Sequence, residues 1–252
     1  MSVPKEYYPE AFKMAGQHLQ ACMEKSGCSD FRWIKTQPTS PSFADLVFAR
    51  EQRMYAVLLA AMTSQKKAED GSVASFEIPS DQRDILLQEC ERYRLEPVVF
   101  PIWLGIMQPL ATSWNLFSLK DMQPVFPDAD ELLDDDPVEM SEWELCNFRV
   151  QIILHELAKE GRTLLSFQDI PGIYPNIWFV DEQGRRSWLA VFAQDCDDVS
   201  MTEILEDLKR RIPAKFGRYR ACVGVLSAEH PELPPQRAEA LAISCKGMFE
   251  VS

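Results

Sequence analysis

The side chains best able to do chemistry are three histidines, seven cysteines and the carboxylates, and their spacing matches no familiar site. His155-Glu156 opens like a zinc-protease helix, but that site needs a second His four residues after the first, and position 159 is Lys. Adjacent helix residues also point apart, so His155 reads as a helix-surface residue. His18 and His230 have no carboxylate or Cys pattern beside them. The cysteines, at 22, 28, 90, 146, 196, 222 and 245, form neither CxxC nor a Cys/His metal spacing. Cys22 and Cys28 have no local basic cluster to activate them. The glycines form no GxGxxG or GxxxxGKS phosphate loop, and no GxSxG elbow occurs. We therefore expect no catalytic residue, no cofactor and no metal site.

Acidic residues are concentrated instead. Asp128, Asp130, Glu131, Asp134, Asp135, Asp136 and Glu139 crowd one short segment, and Glu142 and Glu144 extend it. The run has neither the glycine nor the closing glutamate of a calcium loop, and it reads as a solvated linker or an acidic protein-binding strip. Asp134, Asp135, Asp136, Glu139 and Glu142 are the candidate partner-binding residues. Glu142 and Glu144 also suit the positive end of a helix, whereas mutual repulsion should keep the linker acids extended.

The whole chain is acidic too, with a net charge of −13, which repels phosphate backbones and anionic lipid surfaces. A basic protein is the better electrostatic match. Neither a signal pattern at Met1–Glu10 nor a long apolar run is present, the longest being the strand-sized Tyr55–Met62. An odd number of scattered cysteines suits free thiols in a reducing cytoplasm. These features predict a soluble cytoplasmic protein that contacts neither nucleic acid nor membrane.

The elements that would position these residues repeat. Leu46-Val47-Phe48-Ala49-Arg50-Glu51-Gln52 can be set over Ile177-Trp178-Phe179-Val180-Asp181-Glu182-Gln183, each ending in a turn with the same Glu-Gln pair. A second apolar run follows each, led by Tyr55 and by Trp188, with a turn two residues longer in the second copy. Both read as β-hairpins. A helix starting at Ser80 and the strand Pro97–Ile102 follow the first. A capping-box pattern at Ser200–Glu203, its helix and the strand Tyr219–Leu226 follow the second. Upstream lie a helix over Glu10–Lys25 with the strand Phe31–Ile34, and a helix opened by the capping box Ser141–Glu144 with the strand Thr163–Phe167.

The predicted fold class is thus α/β, an α+β mixed sheet, in two tandem α-β-β-β-α-β units. The first spans 1–127, the acidic linker 128–140, and the second unit with a C-terminal tail 141–252. The tail pattern suggests a short helix through Ala238, Leu241 and Ala242. The aromatic stretch with Trp103, Trp114 and Phe117 is either a cover for a sheet face or a binding face.

This element order resembles the core of the PD-(D/E)XK nuclease-like superfamily. The family's Asp opens the second strand and its Glu-x-Lys lies on the third. The carboxylates hold a divalent metal, and the Lys positions or activates water. Asp45 matches that Asp, but Leu58 and Ala60 stand where Glu and Lys belong. In the second copy Asn176, Val191 and Ala193 occupy the same places. The resemblance implies a scaffold without its metal site. The expected function is a non-catalytic protein-binding role of regulatory, adaptor or immunity type. Two alternatives are a divergent metal-dependent nuclease or hydrolase, drawing on Asp45, Glu77, Asp169 or Asp181, and an acidic mimic of nucleic acid.

Overall fold

Residues 3–37, 42–62, 78–110, 113–129 and 136–251 are described by a computed structural model. Two compact units divide the chain, the first formed by Met1–Pro38 and Phe43–Asp136, the second by Thr39–Ser42 and Pro137–Ser252. Among the described residues, no helix is long and apolar enough to cross a membrane.

In the first unit, Ala11, Ala15, Leu19 and Met23 recur every four residues and make the buried stripe of helix α1, Tyr8–Ser26. Gly27 closes it in the left-handed conformation, φ 73°, which a glycine adopts without steric penalty. Strands β1 (Phe31–Lys35), β2 (Leu46–Arg50) and β3 (Arg53–Met62) pair antiparallel in turn. Helix α2 (Ser80–Tyr93) then carries the chain to β4 (Glu96–Trp103), parallel to β3. The short strands β5 (Gln108–Pro109), β6 (Leu116–Ser118) and β7 (Pro124–Val125) complete the sheet, in the order β1-β2-β3-β4-β6-β7 with β5 on β4. Leu46, Phe48, Tyr55, Val57 and Trp114 form one core with the α1 stripe. Trp114 therefore belongs to the interior, stacked on Phe48.

The second unit follows the same plan. Helix α3 (Glu142–Lys159) leads to β8 (Thr163–Phe167), β9 (Ile177–Val180) and β10 (Arg186–Ala193), again pairing antiparallel in turn. Helix α4 (Asp198–Arg211) crosses to β11 (Gly217–Ser227), parallel to β10. Strand β12 (Leu241–Glu250) pairs antiparallel with β11, so the sheet order is β12-β11-β10-β9-β8. Val150, Ile153 and Leu157 of α3 pack on Ile177, Phe179, Leu189 and Val191. On the opposite face Met201, Leu205 and Leu208 of α4 pack on Trp188, Ala190 and Phe192. Among the described residues a mixed α+β fold with two mixed sheets and four helices results, and the shared order and pairing of both units are compatible with an internal duplication.

Three sequence expectations change. The tail is a strand: β11 is eleven residues long and offers an unpaired edge, and that tertiary opportunity outweighs the helical look of Ala238–Ala242. Helix α4 starts earlier, with Asp197 as its cap accepting from the Ser200 amide at 2.8 Å, so Ser200 lies inside the helix. The hairpins also align differently. Leu46 pairs with Val57, and Ile177 with Leu189. Trp188 therefore corresponds to Ala56, not Tyr55, and the second turn is longer by one residue rather than two. Because a strand alternates faces, that single step moves every side chain of the comparison across the sheet. Leu59 and Ala61 are the counterparts of Val191 and Ala193.

Candidate functional site

The position expected to carry a metal-binding Asp has the same local architecture in both units. Asp45 donates its amide to the Val57 carbonyl at 2.9 Å, and its Oδ2 accepts from the Leu59 amide at 2.7 Å. Asn176 donates to the Leu189 carbonyl at 3.0 Å, and its Oδ1 accepts from the Val191 amide at 2.8 Å. Each side chain bridges to the neighbouring central strand just ahead of the regular ladder, and satisfies an amide there. Asp45 differs in having a second donor, the Tyr8 hydroxyl, 2.7 Å from Oδ1. Burial raises the Asp45 pKa above the usual carboxylate range, although the Leu59 amide, Tyr8 and Lys35 pull it down. The register counterparts on the facing strands, Leu59, Ala61, Val191 and Ala193, carry no oxygen ligand, and neither do Leu58 and Ala60.

The other carboxylates considered for hydrolysis are placed separately. Asp181 organises the β9–β10 turn. Its Oδ1 accepts from the amides of Gln183 and Arg185, and its Oδ2 from Arg185 Nε at 2.8 Å and Ser187 Oγ at 2.9 Å. Burial would raise its pKa, but these donors outweigh burial and hold it below the usual range. Gly217 makes the packing possible: a Cβ there would come 2.1 Å from Ser187 Oγ and 2.8 Å from Asp181 Oδ2. Asp169 is buried. Glu77 lies outside the described residues. Among the described residues, no group of three or more His, Cys, Asp or Glu side chains is placed to hold a metal ion.

One pairing escaped the sequence reading. His18 and Cys22, four residues apart on α1, face each other with Nε2 and Sγ 3.7 Å apart. His18 Nε2 donates to the Ser113 carbonyl at 2.6 Å and the Cys22 thiol donates to the same oxygen at 3.5 Å. A nitrogen that is donating cannot also take the thiol proton, so this is a shared anchor for the chain at Ser113. Burial pushes the Cys22 thiol pKa up. Cys90 and Cys146 are pushed to about 12, again first by burial. All seven cysteines are free. His155 is exposed, as expected, and its neighbour Glu156 pairs with Lys159.

The acidic segment divides into parts with different work. Asp128 is no solvated linker acid, since its Oδ1 accepts from Trp114 Nε1 at 2.7 Å in the first unit. Glu144 is not on the strip either. Its carboxylate completes the capping box with Ser141 and receives Arg237 in a fork, Nε at 2.9 Å from Oε1 and Nη2 at 2.7 Å from Oε2. Both side chains of that pair are under 5% exposed. Glu139 bridges to Gln236, and Met140 donates to the Pro235 carbonyl, so the chain after Pro137 lies on the β11–β12 connection. Asp136, Glu139 and Glu142 remain exposed, while Asp130, Glu131, Asp134 and Asp135 lie outside the described residues.

The second unit's sheet has open edges at β12 and β8. β12 is an edge strand whose residues from Ala242 to Lys246 are all exposed, whichever face they point to. Ile243 is 50% exposed, Phe249 46%, and Leu226 on β11 48%. Glu229 and Glu232 stand exposed in the connection that leads into it.

No curated protein and no solved structure matches the chain. Residues 143–251, from the first turn of α3 to the end of β12, match the family model of a domain of unknown function, DUF8840.

Proposed function

We propose that the protein is a non-catalytic protein-binding module of regulatory, adaptor or immunity type, and that its second unit takes an extended, basic segment of another protein along β12. The open edge of β12 carries this reading. An edge strand presents a row of main-chain donors and acceptors, and a partner strand can continue the ladder while its side chains meet Ile243 and Phe249. The acids give such a partner its charge. Asp136, Glu139, Glu142, Glu229 and Glu232, with Asp134 and Asp135, would draw a basic segment and speed the encounter. Lys246, exposed on the strand, works against aggregation through this edge. The framework reads as a PD-(D/E)XK-like core put to structural use, since the position of its Asp is occupied in both units by a side chain that clasps the next strand.

The test begins with photo-crosslinking from position 243 in the native source, to identify the partner by mass spectrometry. With that partner purified, Ile243→Asp should weaken binding about tenfold or more, since a charge would be forced into an apolar contact. Asp134, Asp135 and Asp136 changed together to Asn should instead slow association, with a loss that shrinks as salt is added. A partner that binds Ile243→Asp as tightly as the parent protein would refute the edge-strand reading.

A further inference from the structure

The face of the second sheet that carries α4 is rich in donors and short of acceptors. Arg218 and Arg220 of β11 are the register partners of Trp188 and Ala190 on β10, and paired residues of neighbouring strands share a face. Trp188 and Ala190 belong to the core under α4, so both arginines start out on that side. Arg220 Nη1 reaches Met201 Sδ of α4 at 3.1 Å, in agreement. Trp188 is fully buried, and its indole N–H finds no acceptor among the described residues. The Nε–H of Arg218, one strand away, is buried and finds none either. Buried donors are nearly always accepted, so two such groups in adjacent register positions call for an explanation. Arg220 is poorly matched too, since a thioether is a weak acceptor.

The nearby carboxylates are spent elsewhere. On α4, Glu206 pairs with Lys209, and Asp207 pairs with Arg210 and Arg211. Glu250 of β12 stands opposite Tyr219, on the α3 side, where Arg185 holds it. Among the described residues no carboxylate pairs with Arg218 or Arg220, although the chain carries a net charge of −13. Alternate residues of a strand are about 6.6 Å apart, so two such guanidinium groups can close on one oxyanion. Phe249, the register partner of Arg220 on β12 and 46% exposed, sets an aromatic ring on the same face.

We propose that Arg218 and Arg220 form a binding site for a small phosphomonoester with a flat apolar body. The phosphoryl dianion matches two guanidinium charges, and its oxygens accept from the outer Nη groups of both arginines, in the fork that arginine offers phosphate. The body lies on Phe249. Strands β10 and β12 flank β11, so no strand edge is open at the arginines for a main chain, which favours a small molecule over a phosphorylated protein segment. The site rests on β11 and stands without the β12 reading.

The experiment is a titration of the full chain, labelled at its side-chain nitrogens, with phenyl phosphate, phenyl sulfate and a short peptide centred on phosphotyrosine. Saturable shifts of the Trp188 indole and Arg218 Nε signals are expected with phenyl phosphate. Phenyl sulfate has the same shape and one charge fewer, and should bind about tenfold more weakly, the worth of one charge-assisted hydrogen bond. The second ionisation of a phosphomonoester lies at about pH 6, so phenyl phosphate should tighten as pH rises through that value while phenyl sulfate does not. Arg218→Gln and Arg220→Gln should each weaken phenyl phosphate about tenfold and shrink its advantage over the sulfate. Both arginines are half-buried and neither change breaks an ion pair, so the fold should survive, as circular dichroism would show. Phe249→Ala, at an exposed position, is expected to weaken both phenyl esters alike. The peptide should bind no tighter than phenyl phosphate, and a clear gain for it would overturn the small-molecule assignment. No saturable shift, equal binding of phosphate and sulfate esters, or unchanged affinity in both Gln variants would each overturn the site.

Discussion

In the second unit both helices begin on a side chain: Ser141 with Glu144 at α3, and Asp197 at α4. In the first unit α1 and α2 follow Tyr7 and Pro79, and neither helix has a side-chain cap. The same plan is thus fastened in two ways. The second unit secures its helix starts with local polar contacts and locks one of them with the buried Glu144–Arg237 pair. The first leans on its α1 stripe and the aromatic group of Phe31, Phe48, Tyr55 and Trp114. At the clasp the units agree on the job and differ in the residue, carboxylate against amide. That difference teaches what the position needs: one side-chain oxygen facing the amide of the next strand, which Asn provides without a charge.

Removing the lock should have the largest effect. Arg237→Ala leaves Glu144 buried without its cation, and breaking one side of a buried pair typically costs about 3–5 kcal/mol. Urea denaturation followed by a probe in the second unit, such as Trp188, should register that loss. A change below about 1 kcal/mol would mean that the capping box alone holds Glu144, and that the two units are secured more alike than their contacts imply.

Next come the clasps. Asp45→Ala and Asn176→Ala each strip an acceptor from a strand amide, at about 1–3 kcal/mol. Asp45→Asn should keep most of the stability that Asp45→Ala loses, because the amide oxygen can still face Leu59. Equal losses for Asn and Ala at position 45 would show that the first unit needs the carboxylate itself, and the equivalence of the two clasps would fail.

The smallest effect is in pH. Asp45, with its pKa raised, favours the folded state while it keeps its proton, and that contribution is lost as pH rises from the ordinary carboxylate range through the raised value. Asp181, with its pKa lowered, contributes above the ordinary range and loses its contribution as pH falls through the lowered value. Melting temperatures across this range should show Asp45→Asn gaining on the parent protein as pH rises. Asp181→Asn should show its deficit near neutrality and recover in acid. Parallel pH profiles for the two variants would remove the contrast.

Features that depend on residues close in sequence were legible. The Ser141–Glu144 box needs two residues three apart, and both hairpins show as turn-separated apolar runs. The one-residue step between the hairpins was hidden because β3 and β10 are apolar on both faces, so neither strand displays an alternation from which to read its face. β12 was misread because its partner strand, not its own pattern, decides its conformation. The site residues divide in the same way. His18 and Cys22 could have been paired from helical spacing alone, whereas Asp128 meets Trp114 from fourteen residues away and Glu144 meets Arg237 from ninety-three. No local pattern announces a contact of that range.

The span of the Glu144–Arg237 pair also sets a timetable for synthesis. The first unit's strands and its Trp114–Asp128 contact are all present once residue 128 has been made, so that half can fold while the rest is being translated. The second unit cannot. Glu144 is made early, and its cation arrives only when nearly all of the unit has followed, so α3 must wait with that carboxylate held by Ser141 alone. A ribosome paused between the two positions would hold a finished first half beside an unfinished second one. In that interval β11 has no β12 on its edge, and nascent-chain handling by chaperones should concentrate there.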